Sequence, residues 1–359
     1  MRVDELWLTD FRSYPEAHAR FAPGVTAVLG SNGQGKTNLV EAVAFLATTG
    51  SFRGAPTDAL VRAGAETAVV RARADREGRE LLVEAELAVA GRTRIQVNRQ
   101  RLGRSKDLLG AIRVTVFSPD DLELVKGGPS ERRRYLDDLL VAIHPRNDKV
   151  RTDVDKVLRQ RNALLRQAGG RVSPDVAATL DVWDSRLAAA GDALGNERRR
   201  LVEQMAGGLS RSYQTVAGTP VSIDARYDPA WLSDGLATAL VAARDDDIRR
   251  GVTTVGPHRD EIDLRIDGLP ARTHASQGEQ RSLAFALRMV GHTLVTGAVG
   301  VPPVLILDDV FSELDPYRSR ALLDAIPTAQ TILTTAGELP AGVTPDVVLT
   351  ITDGRLASS

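Results

Sequence analysis

Gly30-Ser31-Asn32-Gly33-Gln34-Gly35-Lys36-Thr37 fits G-x-x-x-x-G-K-[ST] at every defined position. Just upstream, Val25 to Leu29 is an apolar run of the right length for one buried strand. Downstream, Leu39, Val40, Val43, Ala44, Leu46 and Ala47 recur at helical spacing until Gly50. Strand, glycine loop and helix together form the context in which such a loop cradles phosphates. Its backbone N–H groups curl around the anion, and the N-terminus of the helix adds positive potential. Gly33 and Gly35 let the backbone approach without a side-chain clash. The pattern predicts that Gly30 to Thr37, with Asn38 behind them, hold a nucleotide, with Lys36 on the terminal phosphates and the Thr37 hydroxyl on Mg²⁺.

A phosphate loop needs a metal-binding acid on a neighbouring strand. About 270 residues on, Val304 to Leu307 is an apolar strand ending in Asp308 and Asp309. Asp308 stands where the magnesium-associated acid belongs, and Asp309 is placed to orient or deprotonate an attacking water. A helix N-cap or a calcium-binding corner is the alternative use of such a pair. If Lys36 and Asp308 meet in one sheet, residues 1–117 and 250–359 form one α/β domain with a mixed sheet. Residues 118–249 are then an inserted, mainly helical lobe.

Composition narrows the class. Apolar content of 43% and charged content of 26% are ordinary for a folded soluble chain. There is no cysteine, which excludes disulfides, thiol catalysis and thiolate-held metals, and five scattered His argue against a zinc site. No uninterrupted run reaches the roughly 18 apolar residues of a membrane span, and Met1 to Trp7 has no signal-peptide core, so a cytoplasmic location with no membrane partner is expected. Net charge is −1, but its distribution is uneven. Residues 71–106 carry ten bases against five acids, and 126–171 carry twelve against six. Solvated helix faces account for such patches as readily as a phosphate-tracking surface does.

Residues 67–98 alternate like strands, and Ile112 to Phe117 reads as another strand stopped by Ser118-Pro119. From about 131 to 215 the period becomes helical. Val150, Val154, Val157 and Leu158 mark one helix; Leu180, Trp183, Leu187, Ala190 and Leu194 mark a second with a coiled-coil seam. The Gly169–Pro174 turn between them predicts a hairpin of two helices of about 20 residues, reaching about 30 Å. Strand character returns after 250, and Val347 to Leu356 reads as a hairpin turning at Asp353-Gly354.

Ser276-Gln277-Gly278-Glu279-Gln280 opens an apolar helix some thirty residues before the acids. It resembles the signature loop of ABC-type ATPases, in which a Ser hydroxyl and a Gly N–H meet the γ-phosphate held by the opposite subunit. A plain Ser N-cap is the bland reading of the same residues. Ser312-Glu313-Leu314-Asp315 resembles the loop that crosses the dimer interface in that superfamily. The usual switch His after the next strand is missing, with Thr334-Thr335 in its place, and no Gln follows the 112–117 strand.

Further stretches resemble the RecF family of bacterial recombination mediators, ABC-type ATPases related to SMC and Rad50 proteins. They are Phe11-Arg12-Ser13-Tyr14, Ser118 to Pro129 running on to Arg132-Arg133-Arg134, Gly256-Pro257-His258-Arg259-Asp260 and Leu307 to Asp315. The resemblance implies an ABC-type head and a weak, DNA-stimulated ATPase using ATP and Mg²⁺. It implies a homodimer closed by ATP, with Lys36, Ser276 and Asp309 as the catalytic set. The implied partners are duplex DNA near single-strand/double-strand junctions and RecR, with RecO and RecA beyond it. Candidate DNA contacts are Arg73, Arg94, Arg101 and Arg104, with Arg132, Arg133 and Arg134. The resemblance also puts Arg12 near the nucleotide base, and His258 and Arg259 either point into the nucleotide site or, as the favoured reading, brace the lobe against the sheet. An ABC-transporter ATPase subunit is the alternative. The insertion, about 130 residues, is far too short for an SMC or Rad50 arm.

Overall fold

The Val25–Leu29 strand sits third in a six-stranded sheet ordered Arg355–Ser358, Val347–Thr352, Val25–Leu29, Thr331–Thr335, Val304–Asp308 and Val114–Phe117. All pairings are parallel except that of Arg355–Ser358, which returns antiparallel. The computed structural model describes residues 1–171, 173–325, 330–352 and 354–358, so Asp353 of the expected terminal turn lies outside the described residues.

Both faces of this sheet are covered, so its strands read as continuous apolar runs. Val304 and Ile306 face one core with the Lys36–Thr48 helix, while Leu305 and Leu307 face a second core with Phe285, Met289 and Leu322. All four are fully buried, and each such side chain contributes about 1.5–3 kcal/mol. A second six-stranded sheet, largely antiparallel meander, runs from Tyr14–Arg20 through Arg2–Phe11, Thr67–Arg76, Arg79–Ala88 and Arg94–Val97 to Gln100–Arg101. In it Ala68, Val70, Ala72 and Ala74 point inward and join the first core. These elements fall in one compact unit, Met1–Asp121 with Arg211–Thr219 and Ser282–Ser359; the other unit is Leu122–Ser210 with Pro220–Arg281.

That division corrects the expected boundary. Residues 250–281 group with the lobe, so the lobe is 122–210 plus 220–281 and not 118–249. The strand character after 250 is real, but its partner is local: Asp263–Ile266 pairs with Ile223–Arg226 and Leu269–Pro270 in a separate three-stranded sheet. Polar contacts seal the grouping. Asp260 accepts from Trp231 Nε1 (2.7 Å) and from Tyr227 Oη, and Thr253 N donates to Asn162 (2.8 Å). Burial pushes the Asp260 carboxyl up, against these donors.

The helical hairpin is also unequal. Asn147–Ala168 has the expected length at 22 residues, whereas Pro174–Ala217 runs for 44. Gly191 and Gly195 do not break it; they make room for neighbours. A Cβ at Gly191 would stand 2.3 Å from Leu236 Cδ2, and one at Gly195 would stand 2.6 Å from Trp231 Cη2. The buried stripe of the shorter helix is Val154, Val157, Arg161 and Leu165, so a charge occupies one core position. Arg161 is fully buried and donates to Asp184 (2.6 Å), Asp247 (2.6 Å) and Thr253 (2.8 Å). Arg198, also buried, holds Asp137 through two bonds of 2.8 Å and the Pro257 carbonyl at 2.7 Å.

The Gln277–Val299 helix is long and apolar enough on average to cross a membrane, but it is a core helix, burying Leu283, Phe285, Leu287 and Val290. On it, His292 is 2% exposed; its Nδ1 meets Thr115 Oγ1 at 2.9 Å, while Nε2 has no partner among the described residues. Burial pushes its pKa down to about 4.

Two stability outcomes follow from these buried charges. Arg161→Met strands Asp184 and Asp247 in the interior, and denaturant unfolding should show a loss of about 3–5 kcal/mol. His292 is neutral in both folded and unfolded chains above its ordinary value of 6.5, so it contributes nothing there. As pH falls from 6.5 towards 4, only the unfolded chain takes up the proton, and stability should drop by about 3 kcal/mol. Comparing unfolding of the wild type with His292→Gln across this window should show the slope flatten in the variant.

Candidate nucleotide site

The phosphate loop is shaped by its glycines. Gly33 and Gly35 have φ of +81° and +107°, the left-handed region that a side chain disfavours. A Cβ at Gly30 would stand 2.7 Å from the Ile351 carbonyl oxygen, so the first glycine is required by packing on the Val347–Thr352 strand. Lys36, largely buried, donates from Nζ to the carbonyls of Gly30 (2.7 Å) and Ser31 (3.1 Å), which anchors the amine at the mouth of its own loop.

The acids stand one strand further away than a nearest-neighbour arrangement would put them. Thr331–Thr335 lies between the phosphate-loop strand and the acidic strand, with Thr334 in register beside Asp308. Asp308 Oδ1 accepts from Thr37 Oγ1 at 3.0 Å and from Thr334 Oγ1 at 2.7 Å. Burial pushes the Asp308 carboxyl up, the two hydroxyls pull it back, and the adjacent Asp309 charge adds to the rise. Thr37 Oγ1 and Asp308 Oδ1 are hard oxygen donors 3.0 Å apart, the ligand type that Mg²⁺ takes. The donor set therefore fits Mg²⁺. Among the described residues no cluster of three or more acidic, His or Cys side chains offers an alternative metal cage.

Asp309 sits in the left-handed region, φ +52°, where a non-glycine residue costs about 1–3 kcal/mol. Its N–H is held by both Thr334 atoms, the carbonyl at 3.2 Å and Oγ1 at 3.0 Å. Its Oδ1 is buried without a donor among the described residues. A buried acceptor left open in this way costs about 1–3 kcal/mol and is poised to accept a hydrogen bond. Thr334, which the sequence reading could not assign, thus contacts both acids at the place of the missing switch His. Thr335 is engaged elsewhere, its Oγ1 accepting from Gly337 N at 3.3 Å. Asp121, near the place of the missing Gln, accepts from Ser118 N at 3.0 Å and from Arg288 at 2.6 Å.

Ser276 caps the Gln277–Val299 helix by reciprocal bonds, its N–H donating to Glu279 Oε2 at 2.7 Å and its Oγ accepting from Glu279 N–H at 3.3 Å. The capping box and the signature-loop reading coexist, because Ser276 stays exposed. Gln280 is buried and ties to the carbonyls of Ala271 and Arg272, both at 3.1 Å. Ser276 to Gln280 fall in the lobe unit, while Lys36, Asp308 and Asp309 fall in the other. In the following loop Ser312 Oγ donates to the Asp309 carbonyl at 2.7 Å, Leu314 N donates to the Phe311 carbonyl, and Asp315 pairs with Arg318 at 2.8 Å.

The arginines expected on DNA divide sharply. Arg132 is 5% exposed; it holds Glu261 with two bonds of 2.7 Å and the carbonyls of Leu124, Val125 and Gly127. It cannot reach DNA without unfolding that cap, so its assignment is corrected to a structural role. Arg133 donates to the Asp260 carbonyl at 2.7 Å, and Arg134 pairs with Glu131. Arg73 pairs with Glu5, Arg94 with Glu86 and Arg104 with Asp107. Arg101 has no ion-pair partner among the described residues. It lines a cleft of about 520 Å³ with Arg92, Thr93, Arg94 and Ser105. Sequence reasoning passed over Arg92 and Arg99, which are exposed and equally unpaired among the described residues; the signal was there, since residues 90–106 contain six bases and no acid. His258 braces the lobe internally, its Nε2 meeting the Thr253 carbonyl at 3.1 Å, and burial pushes its pKa down. Arg12 is committed to Glu41 and the Ala59 carbonyl.

The RecF/RecN/SMC N terminal domain family matches residues 2–338. The DNA replication and repair protein RecF of Streptomyces avermitilis is 44% identical over 99% of this chain and 99% of its own length. That of Frankia alni is 44% identical over 96% of each. A solved structure of the recombination mediator protein RecF with ATP, from the RecFOR pathway, superposes with a TM-score of 0.92 at 28% identity, over 100% of this chain and 97% of that one. The SMC head of Pyrococcus furiosus, 17% identical over 100% of this chain and 96% of its own, has a TM-score of 0.59 and shares the ABC-type fold alone. With the phosphate loop, the paired acids and these whole-length matches in agreement, the chain belongs to the RecF family of ABC-type ATPases.

Proposed function

We propose that this chain is an ATP-dependent DNA-binding recombination mediator of DNA repair and replication, working in the cytoplasm. The observation that carries the reading is the convergence of Thr37 and Asp308, 271 positions apart, on one 3.0 Å hydrogen bond. ATP binds Gly30 to Asn38, with Lys36 on the terminal phosphates. Thr37 and Asp308 would hold Mg²⁺, which would supply positive charge against the phosphates when bound. Asp309, with its open Oδ1, orients and deprotonates the attacking water. ATP closes a head-to-tail homodimer in which Ser276 of one subunit, with Gly278, meets the γ-phosphate held by the other, and Ser312 to Asp315 line the interface. The closed dimer clamps duplex DNA near single-strand/double-strand junctions. Partnership with RecR and RecO then promotes RecA loading at gaps, and slow, DNA-stimulated hydrolysis reopens the clamp.

The DNA surface on this reading centres on the Arg92–Lys106 hairpin. Its six bases stand among no acids, and Arg92, Arg99 and Arg101 have no ion-pair partner to give up among the described residues. Arg94, Arg104 and Arg134 would each have to leave a carboxylate, and exposed pairs of that kind cost little to exchange, whereas Arg73 is tied to the buried Glu5.

Sedimentation should find the wild type monomeric without ATP and dimeric with it. Asp309→Asn should lower turnover by at least about 100-fold and leave the ATP dimer trapped. Ser276→Arg should bind nucleotide yet stay monomeric, and a wild type that is dimeric regardless of ATP would overturn the switch. Replacing Arg92, Arg99 and Arg101 together by Glu should leave basal hydrolysis unchanged and weaken duplex binding for all sequences alike. The slope of log affinity against log salt should shrink by about 2–3; an unchanged slope would move the DNA surface elsewhere.

A further inference from the structure

Phe11-Arg12-Ser13-Tyr14 has no part in the chemistry above, yet three of its residues each grip the phosphate-loop helix at a different point. Tyr14 Oη donates to the Gly35 carbonyl at 2.9 Å. Asn38 Nδ2 donates to Ser13 Oγ at 2.9 Å. Arg12 donates to both oxygens of Glu41, at 2.8 and 2.9 Å. As the turn descends 14, 13, 12, its partners ascend 35, 38, 41, three residues per rung along one face of the Lys36–Thr48 helix.

We infer that Arg12, Ser13 and Tyr14 form a positioning clamp that sets the phosphate loop in its binding conformation. The decisive rung is Tyr14. In a trans peptide the C=O and N–H point in opposite directions. Holding the Gly35 carbonyl therefore aims the Lys36 N–H of the same peptide to the other side, into the concave loop where phosphate oxygens sit. The Gly35 carbonyl also accepts the first helical bond, from Leu39 N at 3.0 Å, so both of its lone pairs are committed and the peptide has no free rotation. The fit is close: a Cβ at Gly35 would stand 2.8 Å from Ser13 Oγ and 3.0 Å from Tyr14 Oη. Gly35 is thus glycine twice over, for its φ of +107° and for the clamp pressed against it. Tyr14 is fully buried, and burial raises its hydroxyl pKa, keeping it a donor at all ordinary pH. At the far rung Glu41 is also fully buried and receives Ser51 Oγ besides Arg12, so the guanidinium is held on the helix.

The clamp acts on phosphate and not on the base, which separates it from a direct nucleotide contact. The inference rests on the proposed ATP site, and the test keeps the two apart. Binding of ATP and of inorganic triphosphate, each with Mg²⁺, is measured by calorimetry for the full-length wild type, Tyr14→Phe and Ser13→Ala. The clamp predicts that Tyr14→Phe weakens both ligands by the same factor, about 3- to 10-fold, with the melting temperature of the ligand-free protein unchanged. Ser13→Ala should follow in the same direction. Loss of ATP affinity alone, with triphosphate unaffected, would make the turn a base contact and overturn the clamp. Undiminished binding of both ligands would do the same. Should Tyr14→Phe melt early, Ser13→Ala, which removes an exposed bond only, carries the comparison. A wild type that binds neither ligand would instead refute the ATP site itself.

Discussion

A single carboxylate oxygen, Asp308 Oδ1, carries two hydroxyl donors that reach it from separate elements. One is Thr37, at the start of the phosphate-loop helix; the other is Thr334, on the strand between that loop's strand and the acid's own. For both to reach it, three parallel strands must end at matched heights. Leu305 to Asp308 pair with Thr331 to Thr334, and Thr331 to Thr335 pair with Val25 to Leu29, with no slip along either ladder. A slip of one residue would turn Asp308 to the opposite face of the sheet and present Leu307 to the loop. The two apolar cores on either side of these strands therefore do more than stabilise: the alternation of Val304 and Ile306 against Leu305 and Leu307 locks the register that the site needs.

Thr334 transmits that register to Asp309. Its hydroxyl gives its one proton to Asp308 and accepts the Asp309 N–H, so a single side chain fixes both acids. The left-handed turn at Asp309 is held from outside by this bond and by the Thr334 carbonyl. A neutral hydroxyl performs this coupling with no ionisation of its own, which an imidazole at the same position would not.

The phosphate loop and the acidic strand were legible in the sequence because each is local: a glycine pattern or an apolar run ending in charge. The placement of residues 250–281 was not. Strand propensity identifies Asp263–Ile266 as extended but carries no information about its partner, and the partner turned out to be Ile223–Arg226 in a stretch with no motif. The second helix of the hairpin has 44 residues and not about 20, because the apolar seam read from Leu180 to Leu194 is only part of it; within it Gly191 and Gly195 are contact points for Leu236 and Trp231. Charge counts misled for a related reason. Arg132 and Arg161 contribute to the basic stretch 126–171, yet each is buried against carboxylates far away in sequence, so neither adds to a surface. The hairpin 90–106 differs because it holds no acid at all, which only a sign-by-sign reading of the window shows.

The same contrast bears on how the site reads its ligand. On the proposed function, the residues that bind and activate phosphate within one chain, Lys36, Thr37, Asp308 and Asp309, belong to the unit built on the parallel sheet, while Ser276 belongs to the lobe. The Gln277–Val299 helix starts in the lobe and continues into the sheet unit, so the capping serine and the buried Phe285 and Met289 share one rod. On the proposed dimer, a phosphate seated on one subunit's loop is met by the start of that rod in the partner.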